Sequence, residues 1–325
     1  MIAGTDALSR GRRLAAWVRG AWSRYTSLLI LLVLFAASSL CVPHFLSWIN
    51  IIGLGLSVSM VGMVACSMLF CLAAGGFDLS VESVVAFSGV LAAVVINSSG
   101  SVLEGVLAGV LAGGLVGAVN GAIVSYLSLN PLITTLAVMQ IVRGLGFLVS
   151  QGSAVGVNNS DFFFLGAGRM LSIPNPIWIT LFLMVLFAFL FKRTSFGKNT
   201  LAVGGSETAA RLKGITVSRT KLIIYIIQGL IAGLAGVVLA SRMTSGQPNT
   251  SQGFSMDVIS ACVLGGVSLS GGVGTLSGTI IGVLIMGTVQ NAMNLLNIPT
   301  FYQYILRGLI LLIAVLLDQL KRKSR

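Results

Sequence analysis

Six ionisable side chains stand in or beside long apolar runs: Asp78, Glu82, Glu104, Arg143, Asp257 and Arg307. A charge at the centre of a hydrocarbon layer costs about 2.5–3.5 kcal/mol on insertion scales, so such groups are candidates for function. Asp78 and Glu82 are four residues apart and share one side of any helix that starts that early. Asp78 also precedes an apolar run, where its carboxylate could instead bind the free N–H groups of a helix start. Glu104 and Asp257 lie near run ends and can reach water. Arg143 and Arg307 can pair with these acids, or can hold helix ends through backbone carbonyls. A second set is uncharged: Asn120, Asn130, Gln140, Gln228, Gln290, Asn291 and Asn294. An amide in lipid needs a partner, so each should face other helices or a watery path. Neutral donors and acceptors suit a hydroxyl-rich solute; the competing role of any one amide is glue between helices. The residues singled out for a translocation path are Asp78, Asn120, Asn130, Gln140, Arg143, Asp257 and Asn291.

Other chemistry finds no residues to carry it. No glycine-rich loop is followed by Lys-Ser/Thr, and Gly271–Thr275 is glycine-rich without the lysine, so the chain has no phosphate-binding loop of its own. The single histidine is His44, and Cys41, Cys66, Cys71 and Cys262 match no zinc or redox spacing. The expectation is no catalytic residue, no metal ligand and no cofactor held by this chain.

The elements that must position these groups follow from the bulk composition. Of 325 residues, 56% are hydrophobic and 9% charged, with mean hydropathy +0.99. A soluble domain carries about 25% charged residues, so the bilayer is the solvent. A span needs about 20 mostly apolar residues. Ten segments qualify: 26–42, 50–73, 80–97, 102–126, 132–150, 176–191, 220–241, 257–273, 275–296 and 302–318. The eighth ends among Gly265, Gly266, Gly271, Gly272 and Gly274 and could be broken or re-entrant, as could the junction at Gly75–Asp78. The sequence thus predicts an all-α, polytopic transmembrane helical bundle of about ten spans.

An even number of spans puts both termini on one side. Sixteen of the 20 basic residues fall in 1–25, in 192–219 with Lys221, and in 319–325. Basic residues mark cytoplasmic segments, so both ends are expected inside. The net charge of +12 therefore reports orientation and not nucleic acid. Residues 1–25 carry five arginines before the first apolar run, like a signal-peptide start, but no small-residue cleavage site follows. The expected division is a cytoplasmic N-terminal segment 1–25, a transmembrane domain 26–318 and a cytoplasmic tail 319–325.

Glycine patterning adds packing. Gly105, Gly109, Gly113, Gly117 and Gly121 recur every four residues and lay a narrow stripe along one helix, against which another can pack closely. Gly229/Gly233 and Gly278/Gly282 repeat the device. Gly75–Ser80 echoes Gly265–Ser270, and both fall on the cytoplasmic side. In the loop 192–219, Ser206 to Lys213 could form a short helix capped by Ser206 and ended by Gly214. With Ala209 and Ala210 exposed, it would suit docking into a partner's groove; the alternative is an ordinary amphipathic linker.

These stretches resemble a known family. Gly75–Ser80, Gly117–Gly121, Pro131–Leu136, Ile141–Gly144, the loop from Phe196–Lys198 through Ala209–Arg211, and Val263–Gly272 are similar to the ribose/xylose/arabinose-type permeases of ATP-binding-cassette importers. The likeness runs from about residue 40 to 318, with Phe77 where isoleucine is commoner. Met243–Pro248 and Asn291–Ile298 resemble the arabinose branch, which implies L-arabinose as cargo, with ribose, xylose or galactose as alternatives. An ion-coupled secondary transporter is the other alternative, with Asp78 as its proton carrier. The resemblance implies a multi-pass protein of the bacterial inner membrane and a complex of two permease chains, a cytoplasmic ATPase that uses the ATP, and a periplasmic sugar-binding protein. It also implies an ATPase-coupling loop in which Gly197, Glu207, Ala209, Ala210 and Gly214 are the candidate residues.

Overall fold

The computed structural model describes residues 26–323. The expected N-terminal segment 1–25 lies outside the described residues. Thirteen helices and four two-residue strands follow in order. They are α1 (Thr26–Cys41), α2 (Trp48–Ala73), α3 (Val81–Ser99), α4 (Val102–Tyr126), α5 (Pro131–Ser150), β1 (Val155–Gly156), α6 (Ser160–Gly166), β2 (Arg169–Met170) and β3 (Ile173–Pro174). Next come α7 (Asn175–Arg193), α8 (Ser195–Gly205), α9 (Glu207–Leu212), α10 (Val217–Met243), β4 (Ser245–Gly246), α11 (Phe254–Leu264), α12 (Leu276–Leu295) and α13 (Thr300–Lys323).

Seven of the described helices are long and apolar enough to cross a membrane: α2, α3, α4, α5, α7, α10 and α12. Three shorter apolar helices, Thr26–Cys41, Phe254–Leu264 and Thr300–Leu316, stand where three further spans are expected from sequence. The eighth expected span is not one helix. It starts early, at Phe254, and stops at Leu264, because Gly266, Gly271 and Gly272 take φ of +85°, +85° and +75°. That left-handed conformation suits glycine and ends the helical ladder.

Local chemistry sets the helix starts. Ser47, Ser101 and Thr275 accept backbone N–H groups of α2, α4 and α12 through their hydroxyls. Asn130 Oδ1 accepts from Leu132 N at 2.9 Å, and Pro131 occupies the first turn of α5. Between α5 and α7 the chain forms α6, and β1 pairs antiparallel with β4 beyond α10.

The core is built on close backbone contact. The glycine stripe of α4 faces α3 and α10. A methyl group on Gly113 would overlap the Gly229 carbonyl, and one on Gly117 the Tyr225 carbonyl. On the opposite face of α4, Leu103, Leu107, Leu111 and Leu115 are exposed, as a lipid-facing stripe requires. The second glycine pair, Gly278/Gly282, presses α12 onto Gly265 and Ala261 of the α11 region.

At one end of the bundle, Phe70 of α2 packs edge-on to Phe187 and Phe191 of α7, with ring centroids 5.7 and 5.0 Å away, and stacks on Phe196 of α8 at 5.5 Å. These rings fix α8, a helix not foreseen within the loop 192–219. Glycines close to glycines finish the junction. Gly272 N donates to Ala73 O at 2.9 Å, and Gly204 and Gly205 of α8 lie against Ala73, Gly271 and Gly272. The two echoing segments, 75–80 and 265–270, therefore meet here at Gly75 and Ser270, beside α8.

Candidate functional site

Two polar clusters lie inside this apolar bundle. The first sits in the turn between α2 and α3. Asp78 is fully buried and accepts from Ser80 N at 2.9 Å and from Ser80 Oγ at 2.6 Å. Asn120 of α4, also fully buried, donates to Ser80 Oγ at 2.8 Å. Tyr225 Oη of α10 donates to Phe77 O at 3.0 Å, and Leu79 N donates to Thr135 Oγ1 of α5 at 3.2 Å. The turn is thus tied to α4, α5 and α10. Burial pushes the Asp78 carboxyl up to about 6, and the two bonds from Ser80 oppose part of that rise. Asp78 holds the start of α3 much as a cap would, through the N–H of Ser80, the residue that precedes the helix.

The second cluster surrounds the start of α11. After β4, the chain turns back along α3: Gly246 lies against Gly89 and Val90, while Gly253 reaches Glu82 in the first turn of α3. Arg143 of α5 donates to Glu82 Oε1 at 3.2 Å, to Pro248 O at 3.1 Å and to Thr250 O at 2.9 Å. Glu82 Oε2 accepts from Gly253 N and from Ser255 Oγ, each at 3.0 Å. Both side chains are largely buried, at 14% and 12% exposure. Arg143 therefore pairs with an acid, as the sequence allowed, while the carbonyls it holds belong to the irregular segment before α11 and not to a helix end.

The opposite side of α11's first turn meets α12 and α13. Arg307 Nη1 donates to Asp257 Oδ2 at 2.9 Å, and Arg307 Nε donates to Gln290 Oε1 at 2.9 Å. Gln303 of α13 donates to Asn294 Oδ1 at 3.1 Å and to Ile298 O at 2.8 Å, and Gln290 donates to Gln303. Nearby, Asn291 and Asn50 exchange amide bonds at 2.8 and 2.9 Å, joining α12 to α2.

Of the seven residues singled out for a path, Asp78 and Asn120 share the first cluster and Arg143 and Asp257 the second. Asn291 stands in the α2–α12 amide pair. Asn130 caps α5 and Gln140 is exposed on α5, so neither joins a cluster. Sequence had left out Ser80, Ser255 and Gln303; hydroxyls and amides so common carry no signal until their partners are placed.

The loop residues divide similarly. α9 begins at Glu207, with Ser206 Oγ accepting from Ala209 N at 3.2 Å, and Gly214 takes φ +80° just beyond it. Glu207 pairs with Lys221 of α10 and, at 3.6 Å, with Arg211. Ala209 is exposed, but Ala210 is buried at 3% beneath α9, beside Val203 and Val217. The expected exposure of Ala210 is therefore corrected: α9 lies on α8 and α10 and turns that face inward. Gly197 is buried against the Phe191 backbone at the α7–α8 corner. Leu212, by contrast, is 85% exposed at the end of α9.

Such a bundle, with buried polar clusters at glycine-broken segments, defines a multi-pass membrane transport protein. The family described as branched-chain amino acid transport system / permease component matches residues 50–315, and the chain belongs to it. It is 56% identical over 304 residues to the L-arabinose transport system permease protein AraH of Escherichia coli (strain K12), covering 94% of this chain and 93% of that one. Its identity to the L-arabinose ABC transporter permease protein AraH of Azospirillum brasilense is 54% over 309 residues, 94% and 91% of the two chains. The ribose import permease protein RbsC of Bacillus subtilis (strain 168) is 42% identical over 293 residues, 90% of this chain and 91% of that one. No solved structure matches the chain. It is a permease component, not the ATPase of a transport system.

Proposed function

We propose that this chain is the membrane-spanning permease of a binding-protein-dependent, ATP-driven importer that carries L-arabinose across the bacterial inner membrane. The observation that carries the cargo is the difference in identity: 56% to an L-arabinose permease against 42% to a ribose permease, at similar coverage. ATP is hydrolysed by a separate cytoplasmic subunit, a periplasmic sugar-binding protein delivers the cargo, and two copies of this chain form the pathway.

In this reading the chain crosses ten times with both termini in the cytoplasm, residues 1–25 and 319–325 lying inside and 26–318 forming the membrane domain. Support comes from the basic residues gathered in 1–25, 192–221 and 319–325. The eighth crossing is α11 completed by the glycine segment 265–274. The ATPase docks on α8 and α9, where Glu207, Ala209 and the exposed Leu212 lie before Gly214; Gly197 and Ala210 hold that surface from beneath. Contact of Gly204 and Gly205 with 271–272 and Ala73 supplies a mechanical route from the docking helices to the broken segments. The path runs by Asp78, Asn120, Arg143, Asp257 and Asn291. ATP moves the equilibrium only by favouring one conformation over the other.

The test is uptake of labelled L-arabinose in cells lacking their own transporters, with and without the ATPase and binding protein. Ribose, xylose and galactose serve as competitors. Uptake that needs all three components and is displaced best by arabinose supports the reading. Displacement best by ribose overturns the cargo, and uptake by the chain alone overturns the ATP-driven mechanism in favour of ion coupling.

A further inference from the structure

We infer that Glu82 is a positioning residue for transport: its carboxylate latches segment 247–255 into the bundle, and release of that latch lets the segment move between transport states. The inference rests on the importer reading for the identity of those states.

The carboxylate is fully engaged and engages one object. Oε1 takes Arg143, while Oε2 takes both Gly253 N and Ser255 Oγ. Arg143 holds the Pro248 and Thr250 carbonyls of the same segment. One acid and one base, from α3 and α5, therefore fix four points along eight residues that have no helical or strand ladder until α11 begins. Without the pair, little regular backbone bonding keeps 247–253 in place. Thr244, Ser251 and Gly253 take φ of +54°, +65° and +76°, and the space around the Gly253 α-carbon is open.

A staple meant only for stability would not need charge. Desolvation offsets most of the attraction in a buried ion pair, and apolar side chains of similar size often do as well or better. What the pair provides is an all-or-none contact: intact, it engages both carboxylate oxygens and both terminal guanidinium nitrogens, and broken, it leaves buried charge that must rehydrate. That is the behaviour of a two-state element. The segment is also well placed to be moved. Its upstream end is β4, paired with β1 of the loop after α5, and its downstream end is α11, which leads to the glycines against α8.

The test uses the chain with its ATPase and binding protein in proteoliposomes. A Gln252→Cys reporter is placed in a Cys41→Ser background, and a membrane-impermeant maleimide is applied from the binding-protein side. Labelling should differ about tenfold between the nucleotide-free complex and one held with ATP on a hydrolysis-deficient ATPase. Glu82→Gln should shrink that difference to within about twofold at unchanged complex assembly. Glu82→Asp should keep part of it. The exchange Glu82→Arg with Arg143→Glu should not restore it, because arginine cannot accept the Gly253 N–H. Full rescue by the exchange, or equal labelling in both states with ATP-driven uptake intact, overturns the latch alone. Absence of ATP-driven uptake by the unmodified complex overturns the importer reading and the latch with it.

Discussion

The α4–α10 contact and the α11 region use glycine in opposite ways. Along α4, glycines bring two full-length helices together backbone to backbone. Around α11, glycines break a helix, and two carboxylate–guanidinium pairs hold the pieces. Close packing is hard to shift without loss of many contacts at once. Ion pairs and left-handed glycines hold only at specific points. The α4–α10 region is thus held by continuous close packing, and the α11 region by a few discrete polar contacts.

That contrast can be broken by substitution. The largest effect is expected from Arg143→Ala, which strands a buried carboxylate at a cost of about 3–5 kcal/mol. Uptake should be lost while the chain still inserts in the membrane, as quantitative blotting against transport would register. Gly117→Leu should act differently. It forces a side chain into the Tyr225 carbonyl and should cost about 3 kcal/mol by overpacking, so folded protein recovered in detergent falls along with uptake. A smaller change, Gly272→Ala, puts a methyl at φ +75° and 2.9 Å from the Gly205 α-carbon. Strain of about 1–2 kcal/mol should lower sugar-stimulated ATP hydrolysis more than it lowers the amount of assembled complex.

Asp78 gives the buried α2–α3 turn a pH dependence. Its carboxyl ionises near 6 in the folded chain and near 3.8 when unperturbed, so ionisation is harder in the fold. Stability should therefore fall as pH rises from about 4 to about 6 and then level. Asp78→Asn should remove about 1 kcal/mol of difference between pH 5 and pH 8 in thermal melts of the purified chain. The least effect is expected at Glu207→Gln. Glu207 and Arg211 are exposed, and although Lys221 is largely buried, the amide oxygen that replaces the carboxylate can still accept its bond, so loss of charge should cost under about 1 kcal/mol and leave melting almost unchanged.

Much of the fold was legible because its signals are local. Apolar run length marked the long helices to within a few residues, and Ser206 with Gly214 bracketed α9. Acids and arginines in apolar runs announced that Arg143 and Arg307 need partners. What stayed hidden depends on chain meeting chain. The stripe on α4 gave no hint that Gly229 and Gly233 would be its complement. Nothing local ties Glu82 to Gly253, 171 residues away. α8 was missed because Gly204 and Gly205 disguise a helix whose end is packed against other glycines. Ala210 was expected outside because its own helix is short, whereas the α8–α10 surface beneath it decides its burial.

On the importer reading, this chain moves sugar only as the membrane part of an ATP-driven assembly. The direct measurement is sugar flux into proteoliposomes that hold the chain, its ATPase and ATP, with L-arabinose-loaded binding protein outside. Uptake should stop when ATP, the ATPase or the binding protein is left out. Equal uptake by the chain alone, driven by an ion gradient without ATP, would contradict it.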